Sequence, residues 1–235
     1  MSIAHNYQAV LHNVSVAQAK RTCAPINNAE NVKVVAVTKN HDVQAMLQAI
    51  DAGVIAVGEN RIQEAQQKFQ AISPGRVERH LIGHLQTNKV RQAVSLFDLI
   101  HSVDSERLAV AMNRIAEKLS KRQDILLQVN VAQEDTKFGI AVHEVADLAA
   151  FVTSSLPYLR LCGLMIIAPF FPDKELTRPI FRKGYQLFQE LLSRNLPSSK
   201  LQWLSMGMSN DYEIAIEEGA NLIRVGTGIF GARQY

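Results

Sequence analysis

Val32-Lys33-Val34-Val35-Ala36-Val37-Thr38-Lys39 is a short apolar run that ends on a lysine. Four β-branched valines and an alanine with little true alternation read as a strand buried on both faces, the pattern of a parallel sheet. Sheets of this kind hold their ligands at the carboxyl ends of the strands, so Lys39 is a candidate nucleophile there. The stretch alone leaves the plainer reading open, because most lysines at strand ends are simply exposed.

Outward from this strand the chain alternates. Residues 3–21 carry Ile3, Tyr7, Val10, Leu11, Val14 and Ala17 at helical spacing, an amphipathic leading helix broken by Pro25-Ile26-Asn27-Asn28. Behind the strand, Asp42 is a helix cap for 43–51, Gly53 ends that helix, and 54–57 is a second strand. Further helices are expected to about residue 70 and over 86–94, 104–121, 143–155, 177–194 and 211–218. The strands between them fall at 77–82, 98–103, 125–131, 159–167, 201–204 and 222–225. Eight strands alternating with helices make an α/β fold, a (β/α)8 TIM barrel with an extra leading helix, read as a single domain over residues 1–235. A doubly wound sheet is the competing architecture, but it supplies no reason to stop at eight. No linker rich in Pro, Gly or Ser interrupts the pattern, and Pro169-Phe170-Phe171-Pro172-Asp173 reads as a loop.

Composition narrows the function. A net charge of +3, evenly spread, and aromatics that do not interleave with basic residues point away from nucleic acid and from a membrane surface. The two cysteines, Cys23 and Cys162, lie far apart, have no metal-ligand spacing and suit a reducing compartment. The start Met1-Ser2-Ile3-Ala4-His5-Asn6 has no signal-peptide pattern, and no apolar run is long enough to span a bilayer. A cytoplasmic location is expected.

In a barrel the chemistry collects in the loops after the strands. Those segments are polar and rich in glycine: Thr38-Lys39-Asn40, Gly58-Glu59-Asn60, Gly83-His84 through Lys89, Ser102 to Ser105, Asn130 with the Lys137-Phe138-Gly139 turn, Met165 and Pro169, Ser205 to Ser209, and Arg224 to Gly228. A Ser and Gly cluster after strand seven and Gly226-Thr227-Gly228 after strand eight offer converging N–H groups and hydroxyls, which is what a phosphate needs. A phosphate there and an amine on strand one, which adjoins strand eight when a barrel closes, together suggest a phosphorylated aldehyde held as an imine. Arg224, inside or at the end of the eighth strand, needs an acceptor; an ion pair with Glu59 or Asp211 is one way to supply it.

These residues resemble the pyridoxal phosphate homeostasis proteins. The matching segments are Val35 to Lys39, Gly58-Glu59-Asn60 with Gln63-Glu64-Ala65, His80 to Lys89, Ile100 to Asp104, Gly163-Leu164-Met165, Leu204 to Ser209, and Ile223 to Thr227 with Ile229 to Arg233. The most specific are His80 to Lys89 and Leu204 to Ser209. The resemblance implies a barrel of the alanine racemase N-terminal type that binds pyridoxal 5'-phosphate (PLP), with Lys39 forming the internal aldimine and Arg224 facing the pyridine nitrogen. It also implies that Ser205, Met206, Ser209, Gly226 and Thr227 hold the phosphate and that Asn60 and His84 line the pocket near the ring. An arginine opposite that nitrogen disfavours its protonation and weakens the cofactor as an electron sink. The chain departs from the family in having Thr38 where Ser is common and Asn40-His41-Asp42 where a Lys-Pro turn is frequent. Arg61 stands where an aromatic or small residue is usual.

Two enzymatic alternatives compete with a PLP-managing protein whose partners are PLP-dependent apoenzymes. Racemases that share this barrel carry a C-terminal β domain with a catalytic tyrosine, and the chain stops at Tyr235 just after strand eight. Only Lys39 is an obvious proton-transfer group, so no robust catalysis and no catalytic residues are expected, and a monomer is expected in the absence of the racemase dimer interface. A sugar-phosphate isomerase or aldolase calls for carboxylate or Lys-Asp partners at the mouth, which offers mainly Asn, Ser, His and Thr. No metal site is expected.

Overall fold

Parallel strands buried on both faces need a helix between each pair to cover the outer side, and the sequence supplies one each time. The computed structural model describes residues 2–26, 31–133 and 138–231. Its strands are β1 (Lys33–Val37), β2 (Ala56–Glu59), β3 (Glu78–Leu81), β4 (Leu99–Val103), β5 (Gln123–Val129), β6 (Leu159–Ile166), β7 (Trp203–Met208) and β8 (Leu222–Val225). They form a closed parallel barrel in chain order, and β8 pairs back onto β1 with Val35 opposite Arg224. The expected (β/α)8 barrel is the observed fold.

The helices are α1 (Ile3–Ala19), α2 (Val43–Asp51), α3 (Ile62–Phe69), α4 (Val90–Leu96), α5 (Glu106–Lys118), α6 (Val145–Ser155), α7 (Arg178–Ser193), α8 (Tyr212–Glu217) and α9 (Thr227–Phe230). Asp42 caps α2 as expected, accepting a 2.7 Å bond from the Ala45 N–H. The leading helix α1 buries Tyr7, Val10, Val14 and Ala17 against the closing end of the barrel. Its Asn6 side chain donates to the Ile229 carbonyl at 2.9 Å and so ties it to α9.

Two hydrophobic layers result. Val34, Ala36, Val57 and Ile100 face the helices in the main core, whereas Val35, Ala56, Leu99, Leu126, Cys162, Met165 and Leu222 fill the barrel interior. Three expected boundaries move because of this alternation. β2 runs 56–59 rather than 54–57, since Ile55 is exposed and Gly58 fits where a Cβ would come within 2.8 Å of Val35. β5 runs 123–129 rather than 125–131; Gln123 is buried and donates to the Asp98 carbonyl at 2.9 Å. β7 runs 203–208 rather than 201–204, so Ser205, Met206 and Gly207 belong to a strand and not to a turn. The Gly226-Thr227-Gly228 turn opens the short helix α9, which alternation alone does not announce.

Candidate functional site

Lys39 lies two residues past Val37, in the turn that follows β1 at the barrel mouth. It is half-buried and lines a cavity of about 220 Å³ with Asn40, Asn60, Arg61 and Glu64. The amide oxygen of Asn60 is buried without a hydrogen-bond partner in the protein. Gly83 lets the loops after β2 and β3 touch, because a Cβ on it would lie 2.7 Å from the Asn60 Cα.

Behind Lys39, between the barrel wall and α3, sits a buried charged cluster. Glu59 accepts from the Thr38 hydroxyl at 2.5 Å and from the Lys68 ammonium at 2.8 Å. Lys68 also donates to the Thr38 carbonyl at 2.7 Å and to Glu64 at 2.5 Å, and Glu64 accepts from the Asn40 N–H at 2.7 Å. Burial pushes the Glu59 carboxyl up, against the lowering effect of Lys68 and Thr38.

A second polar chain crosses the interior. Arg224 is buried, donating to the Ser205 hydroxyl at 2.6 Å and to the Ile166 carbonyl at 2.9 Å. Ser205 Oγ lies 3.1 Å from His101 Nδ1, His101 Nε2 lies 3.0 Å from His80 Nδ1, and His80 Nε2 lies 3.1 Å from Glu78. Burial lowers the pKa of His80, and that of His101 well below its ordinary value, so both rings are neutral. Their tautomers follow. The Glu78 carboxylate, held down to about 2 by His80 with Lys33 assisting, only accepts, so His80 carries its proton on Nε2 and accepts at Nδ1. His101 then donates from Nε2 and accepts at Nδ1 the proton of the Ser205 hydroxyl. Every donor points from Arg224 toward Glu78. Burial lowers Arg224 only to about 10, with Asp211 opposing, so it stays a cation at neutral pH.

The remaining expected site residues fall in different places. Ser209 accepts from the N–H groups of Gly226 at 3.1 Å and Gly228 at 3.3 Å, so the loops after β7 and β8 do converge, with Thr227 between the two donors. Ser205 lies inside the barrel with its hydroxyl on Arg224 and His101, and the Met206 side chain packs in the core shared with α7. His84 sits on the rim, stacked on Phe138 at 3.8 Å and 3.5 Å from Asp104, apart from the lining of the Lys39 cavity. Neither partner weighed for Arg224 engages it directly: Glu59 is taken by Lys68, and Asp211 accepts from the Met208 N–H at 2.6 Å. The Lys137 end of the Lys137-Phe138-Gly139 turn and Ala232-Arg233 lie outside the described residues.

Comparison with known proteins decides the family. The family model "Alanine racemase, N-terminal domain" matches residues 5–234. A pyridoxal phosphate homeostasis protein of Aquifex aeolicus is 38% identical over 217 residues, covering 92% of this chain and 94% of the relative. The Escherichia coli K12 protein of the same name is 37% identical over 236 residues, covering 99% and 97%. The chain belongs to the pyridoxal phosphate homeostasis protein family. PipY of Synechococcus elongatus, solved with PLP bound, superposes with a TM-score of 0.82 at 34% identity, covering 98% of this chain and all of PipY. Clostridium difficile alanine racemase, at 17% identity and a TM-score of 0.69, covers 96% of this chain and 59% of the racemase; it shares the fold.

The polar groups present fit the cofactor that the family name carries: an amine at the cavity, a buried cation, and at adjoining strand ends a serine hydroxyl with two N–H groups converging on it. Sequence reasoning assigned no role to His80, His101 or Lys68. The signals were present. His80 and His101 stand at inward positions of β3 and β4, and Lys68 falls in the stripe Ile62, Ala65, Lys68, Phe69 that α3 buries, where a charge requires partners. Among the described residues no group of His, Cys, Asp and Glu is arranged to hold a metal.

Proposed function

We propose that this protein binds PLP and takes part in its intracellular homeostasis, holding the cofactor on Lys39. One observation carries the reading: Lys39 and Asn60 line one cavity on the mouth side of the barrel, beside the strand end where Ser209 gathers the Gly226 and Gly228 N–H groups. When bound, PLP supplies an aldehyde that a lysine amine takes up with loss of water, and a ring that withdraws electrons. In this chain Ser209, Gly226 and Thr227 hold the phosphate. Ser205 serves instead to hold Arg224, and the Met206 thioether takes no part. Asn60 orients the ring, and His84, fixed by Asp104 and Phe138, closes the rim. Arg224, anchored by Ser205 and the Ile166 carbonyl, presents a fixed cation, which disfavours a proton on a facing ring nitrogen.

That cation supports a protein that keeps its cofactor rather than one that turns substrates over. In its fuller form the reading has a cytoplasmic monomer that hands PLP to PLP-dependent apoenzymes. The free Cys23 and Cys162 suit such a compartment, and among the described residues no helix is long and apolar enough to cross a membrane.

Titration of the purified protein with PLP is expected to give a visible absorbance band that Lys39→Ala abolishes while the circular dichroism is kept. A protein that takes up no PLP sinks the reading. Incubation of the loaded protein with L- and D-alanine is expected to leave both enantiomers unchanged; steady racemisation that disappears in Lys39→Ala overturns the non-catalytic part.

A further inference from the structure

We propose that Lys68 is a positioning residue for Lys39, fixing the main chain on both sides of it and so setting where its amine stands at the barrel mouth. An ammonium has three protons, and Lys68 spends all three on the Thr38 carbonyl, Glu59 and Glu64 at 2.7, 2.8 and 2.5 Å. Both carboxylates are in turn bound to the neighbours of Lys39: Glu59 to the Thr38 hydroxyl and Glu64 to the Asn40 N–H. Thr38 is thus held by its carbonyl and its side chain, and Asn40 by its N–H.

The need for such a hold is local. Lys39 lies beyond the end of β1, where the last ladder bond runs from the Thr38 N–H to the Gly58 carbonyl at 3.0 Å. Asn40 then turns the chain with φ of 61°, in a turn closed by one 3.1 Å bond from the His41 N–H to the Thr38 carbonyl that Lys68 also engages. Packing alone does not call for a lysine here. Its side chain is 6% exposed in the apolar stripe of α3, where a methionine would fill similar space without the desolvation cost of an ammonium. What the lysine adds is a link between α3 and the two peptide units that flank Lys39. The geometric half of the proposal stands on the chain itself; the half that concerns PLP rests on the function proposed above.

The test compares wild type, Lys68→Met and the double variant Lys68→Met/Glu59→Gln. The single variant strands two carboxylates and is expected to melt at lower temperature. The double variant removes the buried charge, keeps an acceptor for the Thr38 hydroxyl and is expected to recover most of that loss. Two readouts are then taken: amide hydrogen exchange over residues 38–41 without PLP, and the rate of PLP uptake. Exchange at least tenfold faster and uptake at least tenfold slower are expected in both variants, the double one included. Exchange and uptake that return to wild-type values with the melting temperature overturn the proposal and leave Lys68 a purely structural ion. Exchange that stays fast in the double variant, in a protein whose PLP absorbance does not depend on Lys39, upholds the clamp and overturns the cofactor reading instead.

Discussion

Gly163→Ala is expected to prevent the chain from closing its barrel. Gly163 lies in β6 with φ of 149°, directly opposite Trp203 of β7. A Cβ at this position would overlap the Trp203 carbonyl oxygen and lie 2.8 Å from its carbonyl carbon and 3.1 Å from its nitrogen. All three atoms are main chain, so no side-chain rotation relieves the clash. The glycine follows an irregularity in the β5 and β6 pairing, where the partner of Ile125 is Leu161 and that of Leu126 is Gly163, leaving Cys162 as the extra residue. Relief would require β7 to move away from β6, and β7 carries Ser205, the acceptor for Arg224. The expected loss exceeds about 4 kcal/mol, in the range reached only by severe backbone or core disruption. Expression should give insoluble chain, or soluble protein without a cooperative thermal transition. A variant that melts within a few degrees of wild type would contradict this account of the β6–β7 contact.

The second large effect is acid sensitivity beginning near pH 6.5, far above the carboxylate range. His80 and His101 are buried with pKa values lowered from 6.5, so the fold keeps them neutral while the unfolded chain takes up protons. Groups with depressed folded values contribute stability that is present above the unfolded pKa and lost as pH falls from there toward the folded one. Both rings therefore cost stability as pH falls below 6.5, His101, whose pKa is lowered further, more than His80. Glu78, lowered to about 2, adds a further loss as pH falls from 4.5 toward 2. Glu59, Asp104 and Asp211 are raised by burial and act in the opposite direction at the acid end, so the histidine effect is cleanest above pH 5.5. Urea melts at pH 7.5, 6.5 and 5.5 should show the decline, and His101→Gln should make the slope shallower. A flat profile over that window would rule out a neutral buried pair.

The outer layout was readable because it depends on local patterning. Helix α2 with its Asp42 cap, helix α1 and strand β8 lie where the spacing of apolar residues put them, within a residue or two. Errors arose where a strand carries polar or glycine residues inward. Gly58, Gln123 and Ser205 look like loop chemistry in one dimension, yet each occupies a barrel strand. Short inward strands tolerate small or hydrogen-bonded polar groups provided their partners arrive from other strands, and those partners are not visible locally.

From the sequence alone came the alternation that makes a closed eight-stranded barrel, the place of Lys39 at the end of its first strand, and the Ser and Gly loops that meet beside it. These follow from periodicity and turn chemistry, which act over a few residues. Only the tertiary structure decided what holds those groups. Lys68, 29 residues from Lys39 along the chain, reaches the two peptide units around it. Ser205 turns inward to Arg224 rather than toward the loops, and two histidines from neighbouring strands join that arginine to Glu78. Burial compels these pairings, since a charge or polar group removed from water must find a partner. Which partner it finds is set by the closure of the barrel.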